Sequence, residues 1–283
     1  SFALAMVIGP MLASLTGLQG IFWFTALLAV VGIFLLHRVV PNPAKLAVHK
    51  DAEPVPALLG RVLNDRELLR LDFGIFSLHM VMTAIFVVLP LLIRDRLGIP
   101  AMHHWYIYLP VLLLSIIAMV PFVIIAEKKQ KMKLVFVGAI GVLSLTSLGL
   151  YFYGTTLVGF LMCLFIYFAA FNLLEATLPS IVSKMSFAEG KGTAMGVYSS
   201  SQFFGAFCGG ILGGSIYSQF GMSEVFLACA GILFVWFLVA LSMKSPRHVS
   251  TLLKHFEAES TSQVDEITAK LLATEGILDV GIS

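Results

Sequence analysis

The stretch LVGFLMCLFIYFAAFNLLEATLPSIVS, residues 157–183, decides the class of this chain. It is apolar almost without interruption and holds one ionisable group, Glu175. As a helix rising about 1.5 Å per residue, it exceeds the roughly 30 Å hydrocarbon core of a bilayer. A charge at that depth is costly, so a carboxylate retained there points to function. The other reading is a protonated Glu175, or one hydrogen-bonded to a neighbouring helix as packing glue.

The composition agrees with a membrane-embedded chain. Hydrophobic residues make up 59% and charged residues 12%, which excludes an ordinary soluble domain and fits a polytopic α-helical membrane protein. Cys163, Cys208 and Cys229 all lie in apolar stretches with no CxxC pair, so neither a disulfide framework nor a thiolate metal site is expected. His248 and His255, spaced apart and without cysteines, do not make a metal site either. No signal peptide opens the chain, which begins as if within a helix and reads as a piece of a longer protein.

Working outward, eight apolar segments are expected at about 2–18, 21–40, 71–93, 105–126, 134–153, 157–183, 193–217 and 224–243. Their connections alternate in charge. One set carries Arg38, Lys45, Lys50, Arg61, Arg66 and Arg70, then Lys128, Lys129, Lys131 and Lys133, then Lys184 and Lys191, with Lys244, Arg247, Lys254 and Lys270 in the tail. The opposite set carries only Arg94 and Arg96. The positive-inside rule makes the first set and the C-terminus cytoplasmic. Aromatic residues at the other ends (Trp23, Trp105, Tyr106, Tyr108, Tyr151, Tyr153, Tyr217) read as an interfacial belt.

The chain also echoes itself. Gly9-Pro10 lines up with Gly209-Gly210, and Gly17-Leu18 and Phe22 with Gly221-Met222 and Phe226. Segments one and two thus repeat segments seven and eight at a period of six helices, a pattern shared by many secondary transporters. The expected organisation is the last two helices of one six-helix bundle (1–40), a cytoplasmic loop (41–70), a complete six-helix bundle (71–243) and a partial α/β domain (244–283). Within the loop, residues 57–71 read as an amphipathic helix on the inner membrane surface or as a solvated linker. The tail reads strand–helix–strand, with Ser262 to Asp265 resembling a capping box.

Specific motifs sharpen this. Gly9-Pro10 with small residues at Ala5, Ala13 and Ser14 is similar to the antiporter motif in fifth helices of the major facilitator superfamily, with Ala and Ser where the family has glycines. The turn Glu127-Lys128-Lys129-Gln130-Lys131-Met132-Lys133 matches, in position and charge rather than letter, that family's acidic-Arg-Gly-Arg-Arg loop. Residues 171–180 (FNLLEATLPS), 191–199 (KGTAMGVYS) and 272–277 (LATEGI) resemble the YajR-type bacterial inner-membrane subgroup along essentially the whole chain. The resemblance implies helices five to twelve of a twelve-helix fold, followed by the start of a cytoplasmic ferredoxin-like domain. It also implies a secondary active transporter, a proton-coupled efflux antiporter of a small molecule working by alternating access. The implied setting is a monomer in the bacterial inner membrane, with protons and the lipid bilayer as partners, no nucleic acid and no cofactor.

Site candidates follow. Glu175 and His79 lie at matching depths on the cytoplasmic side of the midplane and are the expected proton-coupling pair. Asn172, Gln202, Ser199 and Tyr198 are polar side chains in apolar helices, expected to line a substrate cavity or to bond neighbouring helices, with Gln202 and Asn172 favoured for the cavity. Gly9, Pro10, Gly205, Gly209 and Gly213 are expected at helix interfaces, where small residues permit close approach and Gly-Pro kinks the segment. Lys128, Lys129, Lys131 and Lys133 form a basic cytoplasmic turn, which positive-inside bias explains and acidic lipid headgroups would also suit. Residues 189–193 (EGKGT) lack the phosphate-loop spacing, and Ser180 near Glu175 lacks a GxSxG elbow, so neither ATP-driven transport nor hydrolysis is expected. The rival to transport is a membrane protein that senses or docks a partner through its cytoplasmic domain; an intramembrane enzyme has no nucleophile–base constellation to support it.

Overall fold

A computed structural model describes residues 2–40, 56–187 and 190–245. Among these residues every long element is helical: α1 (Phe2–Arg38), α2 (Leu59–Asn64), α3 (Arg66–Asp95), α4 (Trp105–Lys128), α5 (Met132–Tyr153), α6 (Leu157–Met185), α7 (Lys191–Phe220) and α8 (Met222–Leu241). Among the described residues six stretches are long and apolar enough to cross a membrane: Gln19–Arg38, Arg66–Asp95, Ala101–Lys128, Met132–Tyr153, Leu157–Met185 and Met222–Leu241. Helix α7 is as long as α3, at 30 residues, but its glycines and serines dilute its apolarity. The expected strands of the tail, with His248 and His255, lie outside the described residues, as does the loop 41–55.

Helices α3 to α8 pack as a bundle. The most extensive contact is α3 with α7, followed by α5 with α8, α5 with α6, and α4 with α6, while α3 also meets α8 and α1 lies against α4. Between membrane helices packing geometry decides association, because lipid is as apolar as the side chains. The α3–α7 contact shows how. Ideal Cβ atoms on Gly205, Gly209 and Gly213 would run into the backbone at Phe76, Met80 and Ala84 respectively. Both sets step by four residues in the same direction, so the two helices run parallel in backbone contact. The face of α7 that carries these glycines packs on α3, where the missing side chains let the two backbones come this close. On the other side of α3, Gly74 admits the indole of Trp236 from α8, which meets Phe136 of α5 edge-on with ring centroids 6.0 Å apart.

The internal echo has a backbone counterpart. Gly17 interrupts α1 with φ 71° and ψ 178°, and Gly221 separates α7 from α8 with φ 108° and ψ −179°. Both conformations lie in a region that essentially only glycine visits. The two aligned glycines thus turn their chains in the same way.

Two sequence expectations are corrected. The amphipathic helix expected over 57–71 is broken at Asp65, whose Oδ1 accepts hydrogen bonds from the backbone N–H groups of Glu67 and Leu68 at 2.9 and 3.3 Å. Asp65 is therefore the N-cap of α3, which starts at Arg66 rather than residue 71. Tyr108, expected in the interfacial belt, is buried and packs between Phe86 and His104.

The end of the bundle bearing the basic residues is tied together. Lys184 at the end of α6 donates to both carboxylate oxygens of Glu127 at the end of α4, at 2.8 and 2.9 Å. Glu67 in the first turn of α3 pairs with Arg70 and accepts from the backbone N–H of Lys244 at 3.1 Å.

Candidate functional site

Three helices bring a carboxylate, an imidazole and an amide together inside the bundle. Glu175 comes from α6, His79 from α3 and Gln202 from α7. Nε2 of Gln202 lies 2.8 Å from Nε2 of His79 and 3.4 Å from Oε1 of Glu175. Nε2 of His79 lies 3.8 Å from Oε2 of Glu175, too far for a hydrogen bond and close enough for an ion pair once the imidazole is protonated. An amide nitrogen only donates, so the imidazole nitrogen facing it accepts and this arrangement holds a neutral His79.

Local sequence explains the placement. The parallel glycine seam sets α3 and α7 at backbone contact, so Gln202, one turn before Gly205, reaches His79, one turn after Phe76 and Ile75. On α6, Pro179 has no N–H, which leaves the carbonyl of Glu175 without its i+4 donor. The helix is thus weakest at the turn that carries the carboxylate. Phe171, one turn before Glu175, stands 6.1 Å from the His79 ring and stacks at 6.4 Å on Tyr167 of its own helix, making an apolar wall.

Exposure differs across the cluster. The His79 side chain is 11% exposed and that of Glu175 38%, while Oε2 of Glu175 is itself buried with no hydrogen-bond partner. The carboxylate therefore has one oxygen turned inward to the imidazole and the rest of its side chain open.

The remaining candidates separate. Tyr198, one turn before Gln202 on α7, is buried with its hydroxyl unpartnered, and Ser199 beside it is half-buried. Asn172 does not join them: its Nδ2 donates to Oγ of Ser115 on α4 at 2.8 Å, and Ser115 in turn donates to the carbonyl of Leu112. Asn172 thus joins α6 to α4. Gly205, Gly209 and Gly213 close the α3–α7 seam, and Gly9 has nothing within 4 Å of its would-be Cβ; the side chain of Pro10 lies outside the described residues. Lys128, Lys129 and Lys131 are exposed and Lys133 half-exposed at the α4–α5 turn, where Gln130 takes φ 55°. Among the described residues no group of three or more His, Cys, Asp or Glu is placed to hold a metal.

One buried carboxylate escaped the sequence reading. Asp72 is 7% exposed and its Oδ2 has no hydrogen-bond partner. Its signal was the seven-residue step to His79, which puts both on one face of α3.

Comparison with known proteins places these residues in a family. The chain is 42% identical over 283 residues to the inner membrane transport protein YajR of Escherichia coli K12, covering 100% of the chain and 62% of that protein. It is 24% identical over 250 residues to an uncharacterized transporter of Buchnera aphidicola subsp. Baizongia pistaciae, covering 85% of the chain and 62% of the relative. A further uncharacterized transporter, of Buchnera aphidicola subsp. Acyrthosiphon pisum, is 28% identical over 211 residues, covering 74% of the chain and 54% of the relative. The chain spans less than two thirds of the length of each of these relatives. The model of the Major Facilitator Superfamily matches residues 1–198 and 175–277, and by that match the chain belongs to the Major Facilitator Superfamily.

Proposed function

We propose that this chain is part of a proton-coupled secondary transporter that moves a small molecule across a bacterial inner membrane by alternating access. The observation that carries this reading is the convergence of Glu175, His79 and Gln202 from three helices in an apolar bundle. Ionisable groups inside a membrane are kept where they serve ions or protons.

The chemistry follows from what each side chain can donate. With no proton added, the Gln202 amide donates one hydrogen to His79 and the other to Glu175. A proton arriving on Nε2 of His79 turns that acceptor into a donor. The amide must then present its oxygen instead, and the imidazolium is drawn to Glu175. A proton held on Glu175 removes that attraction. One proton thus selects between two arrangements of the same three side chains, each on a different helix. A switch of this kind biases a two-state bundle when the two states favour different arrangements.

The proposed sense is antiport, a proton entering as substrate leaves. The cationic end, with Lys128, Lys129, Lys131 and Lys133, faces the cytoplasm by the positive-inside rule. The six helices α3–α8 are proposed as one complete bundle, with α1 belonging to a second. The sensing-or-docking alternative rests on the tail, which lies outside the described residues, and no observation favours it.

The test reconstitutes the intact protein in liposomes containing a pH-sensitive dye and challenges it with a panel of small lipophilic molecules. A transported molecule is expected to exchange for protons, changing the lumenal pH, and to accumulate against its gradient until a protonophore collapses the pH difference. Substrate accumulation that ignores the protonophore would overturn proton coupling.

A further inference from the structure

Of the three carboxylates of α3, Glu67, Asp72 and Asp95, Asp72 is the one that is buried, and the coupling triad does not use it. It is 93% buried by its 7% exposure, and its Oδ2 has no hydrogen-bond partner. A carboxylate kept only for packing is hydrogen-bonded, since an unpaired buried oxygen loses water without compensation. The nearest cation in sequence, Arg70, is committed to Glu67. Among the described residues Asp72 is thus held neither by a salt bridge nor by a network.

Its surroundings point along the bundle. Asp72 and His79 share a face of α3, two turns or about 10 Å apart, with Asp72 nearer the cationic end. On the facing helix, Tyr198 stands one turn nearer that end than Gln202. Tyr198 is 3% exposed, and its hydroxyl is likewise without a hydrogen-bond partner among the described residues. Of the other elements packed on α3 here, α8 contributes Trp236 beside Gly74, and Arg61 of α2 lies 4.1 Å over the Phe187 ring. Among the described residues Glu175 Oε2, Tyr198 Oη and Asp72 Oδ2 are each buried without a hydrogen-bond partner, on three neighbouring helices.

We propose that Asp72 is a second proton-holding carboxylate, which passes the proton of Glu175 to and from the cationic end of the bundle by way of the Tyr198 hydroxyl. The proposal rests on Glu175 as the proton carrier. In the step toward the cationic end, the O–H bond on Glu175 breaks and its proton goes to the Tyr198 oxygen. Tyr198 gives up its own hydroxyl proton, which forms an O–H bond on Asp72, and Asp72 then releases a proton to water. Tyr198 ends unchanged, and Glu175 has lost the one proton that the water gains. Side-chain rotation or entering water closes the gaps, since the three groups are not directly hydrogen-bonded in this arrangement.

The experiment needs no transport substrate, because the probe is the proton. The intact protein in liposomes is followed by infrared difference spectroscopy after a pH step on the side of the cationic end. Glu175→Gln is expected to remove one protonated-carboxyl band and Asp72→Asn a different one. Asp72→Asn is also expected to slow protonation of Glu175 by about tenfold or more, as loss of a positioned proton donor does. Asp72→Glu should restore that rate. Tyr198→Phe should keep both bands and slow the same step, and it carries the test if Asp72→Asn does not assemble. An unaltered spectrum in Asp72→Asn overturns the proposal, as does loss of its band with no slowing at Glu175. If Glu175→Gln leaves the spectrum unaltered while Asp72→Asn removes a band, Glu175 is not the carrier and the relay falls with it.

Discussion

The amide nitrogen of Gln202 lies 2.8 Å from the ring nitrogen of His79, across two helices that run parallel at backbone contact. That spacing makes the amide a detector of where the imidazole proton sits, because it can satisfy a neutral ring or a charged ring but not both in one orientation. Gln202→Leu leaves His79 and Glu175 without this donor and is expected to lower stability by about 1–2 kcal/mol. Gln202→Glu adds a second carboxylate and is expected to hold His79 charged. Thermal unfolding in detergent checks the first, and nitrogen-15 resonances of the imidazole check the second.

The glycine seam makes a contrasting prediction within one helix. Gly209→Ala places a methyl against the backbone of Met80 and is expected to cost about 1–3 kcal/mol by overpacking. Gly214→Ala meets nothing within 4 Å and is expected to be neutral or slightly stabilising, since alanine is the better helix former. Unfolding of the two variants in the same detergent compares them directly.

Gly221 turns the chain between α7 and α8 at φ 108°. Gly221→Ala is expected to cost about 1–3 kcal/mol, mainly through backbone strain, with its Cβ also brought within 3.2 Å of Oε2 of Glu224. Gly231→Ala, in open space within α8, serves as the control expected to show no loss.

Much of this was legible because membrane insertion leaves a strong mark. Apolar runs located α3 to α8 to within a few residues, except where Asp65 capped α3 five residues early, while the segments expected at 2–18 and 21–40 fall in the single helix α1, interrupted at Gly17. That one shift hid Asp72: with α3 expected from residue 71, Asp72 sat in a first turn at the membrane surface and drew no attention. Glu175 and His79 stood out as ionisable residues in apolar runs, and their depths could be compared by counting. Whether their faces met could not, because that depends on how α3, α6 and α7 are rotated. The glycines announced a close contact without naming α3 as the partner. Asn172 looked like Gln202 in the sequence, yet Ser115, a hydroxyl most often satisfied by its own helix, captures it.

The Asn172–Ser115 bond joins α6 to α4 away from the triad. A double-mutant cycle of Asn172→Ala and Ser115→Ala is expected to give a coupling of about 0.6 kcal/mol, the usual size for such bonds in membranes. No coupling would mean that Asn172 spends its amide elsewhere, the substrate cavity included.

The most direct measurement replaces Glu175 by Gln in the intact protein and compares two rates: transport driven by a proton gradient, and substrate exchange with equal pH on both sides. Proton carriage by Glu175 requires that driven transport is lost while exchange survives, because the substrate path remains and only the coupling is gone. Driven transport at the rate of the unsubstituted protein would contradict it.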